Sequence, residues 1–277
     1  MRLHEFLLAN EIRHRLGYKG IRVSDSLGGF EGEEDLMVAG LTVRKQHLGL
    51  IRDSKPPWAM DPCEGVIGMN LDNKTFISNL VRQGRVKDAV FSMYMTPKSI
   101  GDAELTLGGI NPSRYTGDIN YVPAIRIGEH SPGWFIAFDE TYVNGERARI
   151  GGVAVADSGT SNINAPRIDG EGIYKLISPR IQPLDTKGTW GLPCSEVSDL
   201  PMNITFVIGG RGYTIPRQEL SVGELVSQPG MCQTLINTPP DVDVWIFGGS
   251  LLKYYYTVWD VTQGKERLGF AKVAHSP

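Results

Sequence analysis

Turn-forming residues interrupt this sequence at short intervals, and this limits how far any helix can run. Glycine (33) and proline (17) together supply 50 of the 277 residues, and both are unfavourable inside helices. Between these breaks apolar and polar residues alternate, as in Ala103–Leu107 (AELTL) and Ile204–Ile208 (ITFVI). Each of these runs ends at a Gly-Gly pair, which is typical of a strand followed by a tight turn. The sequence therefore predicts a mainly β fold.

One turn signal is strong enough to predict a particular supersecondary unit. Asn144-Gly145 separates two apolar runs, Trp134–Phe138 and Ile150–Val155. An Asn-Gly pair supplies the positive φ angles that a two-residue hairpin turn requires. We therefore expect a β-hairpin here.

Helical signals are few and carry no chemical motif. Apolar residues at helical spacing predict one short helix that begins near Asp72 or Asn73 and ends at Gly84, and a second around 173–177. The aromatic residues alternate with aliphatic ones in strand-like runs, which favours core packing over an aromatic ligand platform. They include Trp134, Trp245, Trp259 and Tyr254–Tyr256.

Charge and hydropathy exclude two classes of partner. Lysine and arginine (28) nearly balance aspartate and glutamate (31), and no basic run is long enough to favour phosphate binding. No window approaches the roughly 18 consecutive apolar residues of a membrane-spanning helix. We therefore expect neither nucleic acid nor a membrane as partner.

The cysteines form neither a metal-binding nor a redox pattern. Cys63, Cys194 and Cys232 lack the CxxC spacing of zinc and thioredoxin-like sites. We expect no metal and no cofactor. One disulfide together with a remaining thiol is compatible with this count.

Two features concern the secretory route. The start, Met1–Asn10 (MRLHEFLLAN), has His4 and Glu5 where a signal peptide needs an unbroken apolar core, so no secretion signal is expected. N-glycosylation sequons begin at Asn73 (NKT) and Asn203 (NIT). They matter only if the chain enters that route.

The segment Val153–Ser161 (VAVADSGTS) contains the residues best suited to catalysis. An apolar strand leads into Asp157 at a Ser-Gly turn, so the carboxylate is held beside amides and hydroxyls that can bond it. This arrangement suits acid or base catalysis. The alternative is that Asp157 only caps the turn, as Asp-Ser-Gly commonly does in loops.

Several co-linear segments resemble the pepsin-like aspartic endopeptidases. They include Leu107–Val122 (beginning LGGI), Val153–Pro166 (VAVADSGTSNINAP), Cys194–Tyr213 (beginning CSEVSDLP) and Trp245–Asp260 (WIFG, then LLKYYYTVWD). The resemblance extends over about residues 17–274. It is specific because these motifs occur together and in the order of the family.

The resemblance implies two similar β-lobes around a cleft, each lobe offering one aspartate from a D-T/S-G-T/S loop. The two carboxylates would share one proton and hydrolyse peptide bonds in a polypeptide substrate, since adjacent like charges do not ionise independently. Residues 125–277 would form the C-terminal lobe and 1–124 the N-terminal lobe. A secreted or vacuolar location would follow from the same resemblance.

The resemblance also assigns individual residues. Asp157 would be the carboxylate of the second lobe, and Ser158, Gly159 and Thr160 would orient it and meet the backbone of the substrate. Cys194 and Cys232 match the disulfide of the second lobe, which leaves Cys63 unpaired.

The first lobe departs from the family pattern. The sequence has no second D-T-G or D-S-G, and Asp25-Ser26-Leu27-Gly28 breaks the tripeptide. Gly68 in the first lobe corresponds to Gly248 in the second. A catalytic aspartate as far before Gly68 as Asp157 lies before Gly248 would fall ahead of Met1. The expectation is an N-terminally truncated chain whose first lobe is incomplete and lacks its catalytic loop.

Three functional hypotheses remain from the sequence. The first is an aspartic endopeptidase whose activity is impaired because the first catalytic aspartate is absent. The second is a pepsin-like protein that binds peptides without cutting them. The third is a dimer in which two chains each contribute Asp157, and the oligomeric state is left open.

Overall fold

The chain divides into two compact units, Met1–Ala89 and Val90–Pro277. The computed structural model describes residues 19–24, 27–54, 65–96, 101–127, 133–199 and 203–274. The division by contacts falls earlier than the expected lobe boundary, because the strands within 90–123 pair with strands near the C-terminus. The assignment of 1–124 and 125–277 to the two lobes stays a prediction.

The first unit contains a three-stranded antiparallel sheet and one helix. The strands are β1 (Lys19–Ser24), β2 (Leu27–Val38) and β3 (Leu41–Ser54), in that order, and the helix is α1 (Phe76–Arg82). The helix was expected here, but neither Asp72 nor Asn73 caps it. Thr75 is the N-cap, because its hydroxyl oxygen accepts from the Ser78 amide.

The second unit consists mainly of strands. The strands are β4 (Val90–Tyr94), β5 (Glu104–Leu107), β6 (Tyr115–Pro123), β7 (Phe135–Val143), β8 (Glu146–Ala156), β9 (Ile163–Asn164), β10 (Gln182–Pro183), β11 (Trp190–Pro193), β12 (Ile204–Ile208), β13 (Arg211–Ile215), β14 (Ser221–Glu224), β15 (Met231–Thr234), β16 (Ile236–Asn237), β17 (Trp245–Phe247), β18 (Tyr255–Asp260) and β19 (Arg267–Val273). The α-helices are α2 (Arg167–Ile177) and α3 (Gly249–Leu252), and short 3-10 helices span Pro112–Arg114, Cys194–Asp199 and Arg217–Glu219.

These strands form three sheets. One has the order β5-β4-β18-β19-β6, a second β13-β12-β7-β8-β17-β9-β16, and a third β10-β11-β15-β14. The structure is therefore mainly β, as predicted. The helix predicted around 173–177 is also confirmed, within α2.

The hairpin predicted at Asn144-Gly145 joins β7 to β8. Asn144 has φ 52° and Gly145 φ 81°, so both residues adopt the left-handed conformation that a primed turn needs. The hairpin carries the chain along the central strands of the seven-stranded sheet to the end of β8. It thereby sets the position of Asp157, the next residue.

The core of the seven-stranded sheet is aromatic. Phe138, Phe206, Trp245 and Phe247 pack with ring centroids between 4.7 and 6.3 Å apart. Trp134, Trp245, Trp259 and Tyr256 are all buried. The expectation that these aromatic residues serve packing is confirmed for these four.

A polar network stabilises the loop between β5 and β6. Glu104 Oε1 accepts from Asn111 Nδ2 and Thr106 Oγ1, both at 2.8 Å, and its Oε2 accepts from Arg114 Nε at 2.9 Å. The hydrogen bond from Asn111, then that from Thr106 and the Arg114 guanidinium, hold the Glu104 pKa below its ordinary value of 4.5.

Glu104→Gln should therefore destabilise the second unit at neutral pH by about 1 kcal/mol, since one charged acceptor of this network is lost. A lowered pKa in the folded state contributes stability above the unfolded value, and this is lost as the pH falls through the folded pKa. The gap in unfolding free energy between the two proteins should close below about pH 4. Urea unfolding at several pH values measures it.

Glu146→Gln is the matched control for that series. Glu146 begins β8 and is exposed, and its side chain makes no hydrogen bond among the described residues. The free energy of unfolding of Glu146→Gln should equal that of the parent protein at every pH. A Glu104→Gln gap that is the same at pH 3 and pH 7 would contradict the prediction.

Candidate active site

The candidate site lies where β17 is inserted between β8 and β9. β17 pairs in parallel with β8, Phe247 opposite Ala156, and antiparallel with β9, Phe247 opposite Ile163. The chain therefore leaves β8, crosses the end of β17, and returns on its other side as β9. The crossing segment is residues 157–162, and we call it the Asp157 loop.

Asp157 is fixed by bonds within this loop. Its Oδ1 accepts from the Gly159 amide at 2.9 Å and its Oδ2 from the Thr160 hydroxyl at 2.6 Å. Its own amide donates to the Phe247 carbonyl at 3.1 Å, which extends the β8–β17 pairing by one residue. Both oxygens of the half-buried carboxylate thus have a fixed direction.

The segment after β17 holds the Asp157 loop by hydrogen bonds to its backbone carbonyls. The Gly249 amide donates to the Thr160 carbonyl at 2.7 Å, and the Ser250 amide donates to the Ser161 carbonyl at 2.9 Å. The Ser250 hydroxyl donates to the same Ser161 carbonyl at 2.9 Å. These bonds satisfy amides at the start of α3 that have no partner within the helix.

Gly248 allows this close approach. A Cβ at this position would lie 2.1 Å from the Asn162 carbonyl oxygen and 2.3 Å from that of Thr160. The backbone of the Asp157 loop therefore passes over Gly248 where no other residue fits. The next position is different, because a Cβ at Gly249 would have its nearest neighbour at 3.5 Å.

The predicted site residues are thus brought together, but in different roles. Gly159 and Thr160 bond the Asp157 carboxylate directly, whereas Ser158 is exposed and makes no hydrogen bond among the described residues. No other Asp or Glu side chain in the described ranges bonds to Asp157. Asp25 lies outside the described residues. Within the described part of the chain, no group of three or more His, Cys, Asp or Glu side chains could hold a metal ion.

Sequence reasoning did not identify the residues that support the loop. Ser161 and Ser250 take part through backbone groups and one hydroxyl, so their side chains carry little signal in the sequence. Gly248 was visible only as the glycine that ends the WIFG motif. Its role depends on β9 and the Asp157 loop lying beside β17, a contact between segments far apart in the chain.

The disulfide is present between Cys194 and Cys232, with a sequence separation of 38 residues. It joins the 3-10 helix at Cys194–Asp199 to β15, and so confirms the pairing that the family resemblance implied. Cys63 lies outside the described residues.

A groove of about 710 Å³ lies elsewhere in the second unit. Tyr254 and Tyr255 line it, together with parts of β6, β13 and β19, whereas Tyr256 is fully buried. Burial raises the pKa of Tyr255 to about 12, and its hydroxyl bonds the backbone of Thr214. None of the predicted site residues contributes to this groove.

A strand leads into Asp157-Ser158-Gly159-Thr160, and the loop that follows folds over Gly248 at the end of a second strand. This segment is among those that resemble the pepsin-like aspartic endopeptidases. The model of the eukaryotic aspartyl proteases matches residues 21–273, and the chain belongs to this family. The mainly β structure with several sheets is consistent with the pepsin-like bilobal fold of this family.

Several curated relatives span most of this chain. Cathepsin E-A of Xenopus laevis is 30% identical over 267 residues, which is 91% of this chain and 64% of the relative. Cathepsin D of Clupea harengus is 30% identical over 266 residues, or 90% and 64%. An aspartic protease of Phaffia rhodozyma is 27% identical over 283 residues, or 97% and 66%. The chain thus spans slightly less than two thirds of the length of these relatives.

The described helices are all too short or too polar to cross a lipid bilayer.

Proposed function

We propose that the chain contributes one carboxylate, Asp157, to an acid endopeptidase site that hydrolyses peptide bonds in extended polypeptides. The supporting observation is that both oxygens of Asp157 are held by donors of its own loop, at 2.9 and 2.6 Å. A carboxylate positioned in this way is directed toward one place, where a water molecule and a scissile carbonyl can meet it. Ser158 and Gly159, both exposed, would contact the backbone of the substrate.

We further propose that this 277-residue chain hydrolyses peptides poorly on its own. Amide hydrolysis at acid pH needs one carboxylate to take a proton from water while a second protonates the carbonyl oxygen. The two donors on Asp157 are an amide and a hydroxyl, and neither can serve as that second acid. Loss of one acid or base partner typically reduces a rate by about 10²–10⁴-fold.

The test is a comparison of the purified chain with Asp157→Asn on an internally quenched peptide, at pH values between about 3 and 7. The substitution keeps the shape of the side chain and an oxygen for Thr160 to bond. We expect no difference in turnover between the two proteins. Robust turnover by the parent chain that Asp157→Asn abolishes and pepstatin blocks would contradict the impaired activity.

Two added measurements, peptide affinity and turnover over a series of protein concentrations, separate the two alternative functions. Peptide affinity that is measurable without cleavage at any pH would favour a binding protein. Pairing of two Asp157 carboxylates would instead give turnover that rises with the square of the protein concentration at low concentration. Asp157→Asn would remove that activity.

A further inference from the structure

The asparagines of the two sequons are both exposed, Asn73 in a turn and Asn203 directly before β12. Asn73 occupies a corner of the turn that the Thr75 amide closes on the Asp72 carbonyl at 3.4 Å. Its carbonyl accepts from Arg82 Nη1 at 3.1 Å, while its side-chain amide is exposed and makes no hydrogen bond among the described residues. The backbone of Asn73 is therefore fixed and its side chain is free.

Asn203 repeats this arrangement in the second unit. Its amide donates to Asn144 Oδ1 at 3.2 Å, and its carbonyl accepts from the Asn144 amide at 3.1 Å. The Asn203 side chain is exposed and also lacks a partner among the described residues. It precedes β12 and lies beside the β7–β8 turn, whereas Asp157 follows the other end of β8. The two ends of β8, an 11-residue strand, are separated by up to about 35 Å.

Asn111 provides a contrast within the same chain. Asn111-Pro112-Ser113 resembles a sequon, but proline at the middle position excludes it. The structure also occupies its side chain, because Nδ2 donates to Glu104 Oε1 at 2.8 Å and Oδ1 accepts from the Ser113 amide and hydroxyl. The side-chain amides of Asn73 and Asn203, the two chemically competent sequons, are thus free of hydrogen bonds among the described residues, whereas that of Asn111 is occupied.

The disulfide supplies an independent observation. A Cys194–Cys232 bond persists in oxidising compartments such as the lumen of the endoplasmic reticulum and the cell exterior. N-glycans are attached to secreted proteins at surface Asn-X-Ser/Thr sites on that same route. The disulfide therefore requires an oxidising compartment, and N-glycans are attached on the route through such a compartment.

We propose that Asn73 and Asn203 are both N-glycan acceptor sites. The donor is a polyprenyl-diphosphate-linked oligosaccharide of the host cell. The side-chain nitrogen Nδ2 bonds to the anomeric carbon of the first sugar, as the bond from that carbon to the diphosphate oxygen breaks. The diphosphate leaves with its lipid, and Nδ2 loses one proton. Each unit of the chain then carries one glycan on its surface.

The test is expression of the full chain behind a cleavable secretion leader in a eukaryotic host. Enzymatic deglycosylation in ¹⁸O-water converts each glycosylated asparagine to labelled aspartate, which mass spectrometry locates. We expect label at Asn73 and Asn203 and none at Asn111. The disulfide-linked peptide of Cys194 and Cys232, found in the same digest, shows that the chain reached the oxidising compartment.

Matched variants make the result site-specific. Asn73→Gln and Asn203→Gln should each remove one glycan, and the double variant both. Thr205→Ala should remove the glycan at Asn203, whereas Thr205→Ser, which keeps the sequon, should retain it. Disulfide-bonded chain that carries no label at either asparagine, or at only one, would overturn the proposal for each unlabelled site.

Discussion

Gly248→Ala should lower the free energy of unfolding of the second unit by about 3 kcal/mol, because overpacking that displaces backbone rather than a flexible side chain is costly. The added Cβ would lie 2.1 and 2.3 Å from two carbonyl oxygens of the Asp157 loop. Neither oxygen belongs to a flexible side chain, so the loop itself must shift. Urea unfolding followed by tryptophan fluorescence measures the loss, and Trp245 lies in the adjoining strand β17.

Gly249→Ala is the control one residue further along. Its Cβ would meet its nearest atom, the Ser161 carbonyl oxygen, at 3.5 Å, which is ordinary contact. Alanine also favours a helix over glycine by up to about 1 kcal/mol. This variant should be as stable as the parent chain or slightly more so. Equal stability of both variants would show that the loop does not depend on close approach at Gly248.

The features predicted correctly are those that short stretches of sequence determine. The Asn144-Gly145 hairpin follows from two residues that tolerate positive φ, and their angles of 52° and 81° agree. The strand within Ala103–Leu107 and the one at Ile204–Ile208 follow from alternation that stops at Gly-Gly. These signals act within a few residues, so they do not depend on the rest of the fold.

The N-cap of α1 was predicted incorrectly because several neighbouring residues can cap a helix. The cap of α1 was placed at Asp72 or Asn73, whereas Thr75 accepts from the Ser78 amide. Asp72 has another partner, since its Oδ1 accepts from the Lys74 amide at 2.7 Å. Several residues of the turn could have capped the helix, and only the path of the chain decides between them.

The Asp-Ser-Gly motif alone did not decide the role of Asp157. The Asp-Ser-Gly segment allowed a catalytic carboxylate or a turn cap, and in the structure the bonds from Gly159 and Thr160 are also those of a capped turn. The two interpretations are compatible, because capping is what fixes the direction of the carboxylate. The position of the turn depends on the pairing of β17 with both β8 and β9. The Asp-Ser-Gly motif does not encode this pairing, because β17 lies far from it in the sequence.

Removal of the Cys194–Cys232 disulfide should destabilise the second unit by about 4 kcal/mol, the chain-entropy value for a loop of this length. The bond closes a loop of 38 residues in sequence separation. For a unit of this size the melting temperature should fall by roughly 10 °C. Thermal unfolding of the parent chain with and without reductant, compared with Cys194→Ala/Cys232→Ala, measures the effect.

The loss should arise mainly in the unfolded state, since backbone bonds already hold the two ends together in the folded chain. The Cys194 amide donates to the Gly230 carbonyl at 2.9 Å, and β11 pairs with β15 so that Leu192 lies opposite Cys232. The folded structure of the double variant should therefore stay close to that of the parent chain. Reductant should lower the melting temperature of the parent to that of the double variant and leave the variant unchanged. A double variant that melts with the oxidised parent would mean that the cross-link does not restrict the unfolded chain.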